Sequence, residues 1–96
     1  MNALEALRAR ESEIQSIAAK HGAGNVRIFG SVARGDARPE SDVDFLIDVV
    51  GPTTPWFPGG LLVDLENLLH RRVDLVIARS LHPLIRESVL KDAVPL

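Results

Sequence analysis

From Val26 to Val50 the chain is apolar, breaks, and turns apolar again. VRIF runs into Gly30-Ser31, ten residues follow, and Asp42-Val43-Asp44 opens a second apolar run, FLIDVV. Such runs, rich in β-branched and aromatic residues and separated by Gly, Pro and Ser, read as two strands joined by a loop. On a strand, residues i and i+2 project to the same face, roughly 6–7 Å apart. Asp42 and Asp44 therefore aim at one point, while Val43 and Phe45 turn the other way, into a core. Two like charges held so close repel unless a cation lies between them.

The loop points to a partner for that cation. Gly30 allows close backbone approach to a ligand, and Ser31 is placed to cap the short helical turn VARG. Backbone N–H groups and a hydroxyl at such a turn suit phosphates. Mg²⁺ favours one or two carboxylates plus phosphate oxygens and water. Gly30, Ser31, Asp42 and Asp44 together read as a site for a nucleoside triphosphate and its Mg²⁺. A bare DxD is more often a turn, a cap or a solvated strand end, and the GS turn ahead of it tips the balance here. Arg34, one helical turn on, could reach a phosphate or pair with Asp36 or Glu40. Gly30 to Gly35 has P-loop spacing, but Asp36-Ala37 stands where Lys and Ser or Thr would follow. An aspartate there would repel phosphate, which excludes a P-loop.

The remaining chain supplies packing elements and one further carboxylate. Asn2 caps an expected helix from Ala3 to His21, with Leu4, Leu7, Ile14, Ile17 and Ala18 on one face and Gly22 closing it. Ala23-Gly24-Asn25 reads as a turn before a strand from Val26 to Phe29, and the second strand spans Val43 to Val50. Asp48, at the far end of that strand, suits a solvated or structural role. Gly51 to Gly60 holds three prolines and three glycines, so neither a helix nor a central strand is expected there. Its Trp56-Phe57 pair could cap the core, dock a partner or wall a nucleotide pocket. A helix from Leu61 to His70 follows, with Asp64 and Glu66 expected to be solvated. Arg71-Arg72 lead into a strand, Val73 to Ile77. Asp74 lies among aliphatic residues there and is costly to place unless paired or bound to a cation. It is the third candidate carboxylate, the alternative being an ion pair with Arg71, Arg72 or Arg27. After a connection at Ala78–Ser80, a last helix runs from His82-Pro83 to Lys91. His21, His70 and His82 show no metal-ligand spacing.

Composition bounds the rest. Ninety-six residues make one small domain, 1–96, and 46% apolar with 25% charged content is ordinary for a globular chain. A net charge of −2 argues against direct nucleic-acid binding, which needs a basic face. The absence of cysteine removes disulfides and thiolate metal sites. No leader pattern and no membrane-length apolar run are present, which fits a cytoplasmic protein.

The order helix, strand, GS turn, strand, helix, strand, helix, with GS-x10-DxD and the later Asp74, closely resembles the minimal nucleotidyltransferases of the DNA polymerase β superfamily. The resemblance covers almost the whole chain; the Gly51–Gly60 loop is its most individual part. It implies an α/β (α+β) nucleotidyltransferase fold, a mixed β-sheet of three strands or slightly more packed with about four helices. It also implies that Asp42, Asp44 and Asp74 are catalytic and hold two Mg²⁺ ions, while Gly30, Ser31 and Arg34 bind ATP. Small members of the family resemble the antitoxin half of HEPN/MNT pairs, whose activity is transfer of AMP to a tyrosine of the HEPN ribonuclease toxin. Two other readings stay open: a non-catalytic antitoxin that acts by complex formation, and nucleotidyl transfer to RNA or a small molecule. The chain contains no tyrosine, so a tyrosine acceptor must belong to another chain.

Overall fold

Val43, Phe45 and Ile47 are buried to within 1% exposure, so the alternation read from the sequence is the one the chain folds with. The computed structural model describes residues 2–96. Its elements are α1 (Ala3–Arg8), α2 (Glu11–Lys20), β1 (Ala23–Phe29), α3 (Gly30–Arg34), β2 (Val43–Val49), α4 (Gly59–Leu69), β3 (Val73–Ile77), a 3₁₀ turn (Ala78–Ser80), α5 (Pro83–Asp92) and β4 (Val94–Pro95). The four strands form one sheet in the order β3-β2-β1-β4. β1 is antiparallel to both β2 and β4, and β2 is parallel to β3. A parallel neighbour requires a crossover, and the segment carrying α4 supplies it.

One face of this sheet packs against the helices. Ile14 and Ala18 of α2, Leu61 and Leu65 of α4, Ile28 of β1 and Val73 of β3 close over the inward residues of β2. The other face carries the alternate positions of β2: Asp44, Leu46 and Asp48, with Asp42 just ahead of the strand. Among the described residues no helix is long and apolar enough to cross a membrane.

Several local expectations are corrected. The single helix from Ala3 to His21 is two helices, broken at Ala9-Arg10. Arg10 leaves helical geometry (φ −110°, ψ 20°), and its guanidinium donates to the Leu68 carbonyl of α4 at 2.9 Å. That anchor lies 58 residues away, beyond the reach of local pattern. Asn2 does cap α1, and Gly22 does take a positive φ after α2. Ala23–Asn25 is strand rather than turn, because Ala23 and Gly24 pair with Val49 and Asp48. The turn-like character survives as an irregular register between Gly24 and Arg27 and a positive φ at Asn25. Gly59 and Gly60 belong to α4, so the irregular loop is shorter than expected. Asp64 and Glu66 are not merely solvated: Asp64 bonds His21 at 2.7 Å, and Glu66 accepts from the Val73 backbone N–H at 3.0 Å. β4 has no counterpart in the sequence reading; Leu96 N–H donating to the Val26 carbonyl continues its attachment to β1.

Candidate active site

Phe29, the last residue of β1, pairs with Asp44 of β2, so the chain leaves β1 directly beside that carboxylate. Gly30 then turns with φ +71°, a conformation that favours glycine. A Cβ at Gly30 would fall on Asp44 Oδ2, so two independent constraints keep this position bare. The Gly30-Ser31 turn and the carboxylate are thus brought together as expected. Ser31 is the second residue of α3 and not its cap; Phe29 holds the N-cap position, without a side-chain bond.

β3 delivers the third carboxylate. The parallel register sets Asp44 opposite Asp74, and laterally paired residues share a face of the sheet. Asp74 is exposed, and the three arginines weighed as its partners bond elsewhere. Arg27 pairs with Asp48 at 2.7 Å, Arg71 donates to the Ser41 carbonyl, and Arg72 donates to Asp42 at 3.2 Å. Asp48, also bonded to Asn25 at 2.8 Å, is structural, as anticipated.

The electrostatics follow from that crowding. Partial burial first, then the charges of Asp74 and Asp42, push the Asp44 carboxyl up to about 6, with Arg34 opposing. A partly buried carboxylate beside two others calls for positive charge. Among the described residues no three carboxylate or imidazole groups converge as a ready metal cage. The donor set nonetheless fits Mg²⁺, which needs only one or two carboxylates when phosphate oxygens and water complete its shell. Arg34 meets its carboxylate alternative: it pairs with Asp36 at 3.3 Å, and with Asp92 of α5 at 2.8 Å rather than with Glu40.

Trp56 and Phe57 part company. Phe57 packs on the core, and Trp56 is 90% exposed. Arg71 and Arg72, weighed as partners of Asp74, instead hold the Ser41 carbonyl and Asp42, and Asp92 is the partner that the sequence does not announce. Arg72 precedes Asp74 by two positions, the spacing that puts residues on one face of an extended segment, whereas nothing local points to Asp92.

Comparison with known proteins decides among the chemistries this arrangement allows. The nucleotidyltransferase domain family matches residues 11–96. The chain belongs to that family. This nucleotidyltransferase is 38% identical over 90 residues to protein adenylyltransferase MntA of Thermococcus cleftensis, covering 85% of this chain and 91% of that one. It is 34% identical over 82 residues to a Methanocaldococcus jannaschii chain assigned as a protein adenylyltransferase, covering 85% and 88% respectively. A solved structure assigned as a minimal nucleotidyltransferase superposes with TM-score 0.84 at 49% identity, covering 100% of this chain and 97% of that one. A toxin–antitoxin complex with AMP-PNP shares the fold, with TM-score 0.74 at 22% identity over 88% of this chain and 70% of that one.

Proposed function

We propose that this nucleotidyltransferase moves AMP from ATP to a tyrosine hydroxyl of a HEPN-family toxin, a ribonuclease, and so acts as its antitoxin. The juxtaposition of the Gly30 turn with Asp44 and Asp74 carries the chemical part of this reading. The adenylyltransferase relatives and the toxin–antitoxin complex of the same fold support the partner. The chain has no tyrosine of its own, so the acceptor arrives on a second protein.

In this mechanism the backbone N–H groups of the Gly30-Ser31 turn, with the Ser31 hydroxyl, receive the phosphates. Asp42, Asp44 and Asp74 would hold two Mg²⁺ ions. Bound there, Mg²⁺ supplies charge neutralisation for the triphosphate and acidifies an acceptor hydroxyl. Arg34 adds positive charge on the α3 side while α5 holds it through Asp92. Asp74, exposed at the rim, orients the acceptor hydroxyl and takes its proton. The acceptor oxygen bonds to the α-phosphorus, the α–β phosphoanhydride bond breaks, and pyrophosphate leaves with its electron pair.

Incubation of the toxin with this protein, Mg²⁺ and ATP labelled on either the α- or the γ-phosphate tests the reading. Label on the toxin from the α position alone is the expected result. Label from the γ position would mean phosphoryl transfer. A silenced toxin without label would make this protein an occluding partner.

A further inference from the structure

Arg72 stands two residues before Asp74, just as Asp42 stands two before Asp44. The parallel register of Val43 with Val73 and of Asp44 with Asp74 lays these two pairs side by side. Arg72 Nε donates to Asp42 Oδ1 at 3.2 Å, on a side chain that is 81% exposed. Its neighbour Arg71 works on the backbone of the same segment, donating to the carbonyls of Ser41 and Arg38. The Arg71 side chain thus fixes the turn that presents Asp42, whereas the Arg72 side chain holds only the carboxylate, its backbone carbonyl accepting from the Val43 N–H. Arg34, by contrast, has its charge shared between Asp36 and Asp92. Among the described residues, the one ion pair of Arg72 is to a carboxylate that the proposed chemistry assigns to a cation.

An ion pair this exposed is weak and yields readily to a divalent ion. Ligands of one Mg²⁺ lie about 2.0–2.1 Å from it, hence about 3–4 Å from each other. A guanidinium within bonding distance of Asp42 is therefore one side-chain swing from a phosphate oxygen on the same ion, and its fork geometry suits phosphate. Building on the nucleotide-site reading, we propose that Arg72 holds Asp42 before nucleotide binds and transfers to the triphosphate when cation and nucleotide arrive. Arg72 opposes binding of the metal alone and favours binding of the metal–nucleotide complex, so the two load together.

The full chain and its Arg72→Ala and Arg72→Lys variants are titrated calorimetrically with MnCl₂ alone, then with AMP-PNP at saturating Mn²⁺. Circular dichroism verifies that each is folded. Arg72→Ala binds Mn²⁺ several-fold more tightly than wild type and AMP-PNP on the order of tenfold more weakly. Arg72→Lys recovers part of the nucleotide affinity. A purely structural role would move both affinities in one direction, and that result, or no change in either, overturns the inference. Wild-type protein that binds no AMP-PNP overturns the nucleotide-site reading and the inference together. Wild-type binding that Arg72→Ala leaves intact overturns the inference alone.

Discussion

Asp44 sits where burial and two neighbouring carboxylates act against its charge, and its carboxyl is pushed up to about 6 from an ordinary 3.8. The folded state therefore holds this proton more tightly than the unfolded chain does. Stability is unpenalised below 3.8, declines as pH rises from there through about 6, and levels off once the folded-state carboxyl is fully ionised above that. Thermal melts in EDTA should show that decline in wild type and a flatter profile in Asp44→Asn. The variant should melt a few degrees higher than wild type at neutral pH, and added Mg²⁺ should stabilise wild type but not the variant. A higher melting point for wild type in EDTA would contradict the assignment of Asp44 as a site whose charge awaits a cation. Gly30 answers to the same geometry: its φ of +71° and the carboxylate in its Cβ direction leave no room for alanine.

At the scale of elements, His21 connects three of them. It is 5% exposed at the end of α2 and bonds Thr54 of the irregular loop and Asp64 of α4. Thr54 in turn accepts from the Phe57 N–H, and Trp56 from the Gly59 N–H, so the bonds continue from His21 to the start of α4. His21→Ala should destabilise the protein by about 1–3 kcal/mol. It should also raise amide exchange at Phe57 and Gly59 while β2 stays protected; equal exchange in both proteins would exclude the clamp. Asp64 adds acid sensitivity, because its bond to His21 lowers its carboxyl below the usual range. That contribution is present above 3.8 and is lost as pH falls below it. The elements that position the site were legible in the sequence because they depend on short periods: the alternation of Val43, Phe45 and Ile47, the DxD face, and the aspartate in VDLVI. The break at Arg10, the strand Val94–Pro95 and the Arg34–Asp92 pair were not. Each is set by a partner distant in sequence: the Leu68 carbonyl, β1, and a carboxylate 58 residues on. Asp64 and Glu66 were misread for the same reason, since helical spacing places them on the solvated face and only the docked α2 and β3 give them partners.

Across the whole molecule, the proposed nucleotide site lies at the Gly30 turn and the carboxylates of β2 and β3, and the last helix is loosely held. α5 contains no buried residue, and Leu84 on it is 86% exposed. Trp56, the single tryptophan, stands 90% exposed on a loop that His21 fixes. Its fluorescence should be that of a hydrated indole and change little on unfolding, so denaturation must be followed by circular dichroism; a large shift on unfolding would place the ring elsewhere. The chain lacks tyrosine, so the proposed tyrosine acceptor belongs to another molecule. Intact-mass spectrometry of the proposed HEPN partner after incubation with this protein, Mg²⁺ and ATP measures that directly. Wild type should add one or more AMP units to it, and the Asp42→Asn/Asp44→Asn double variant none. An unmodified partner, or one modified equally by the double variant, would contradict the proposed transfer.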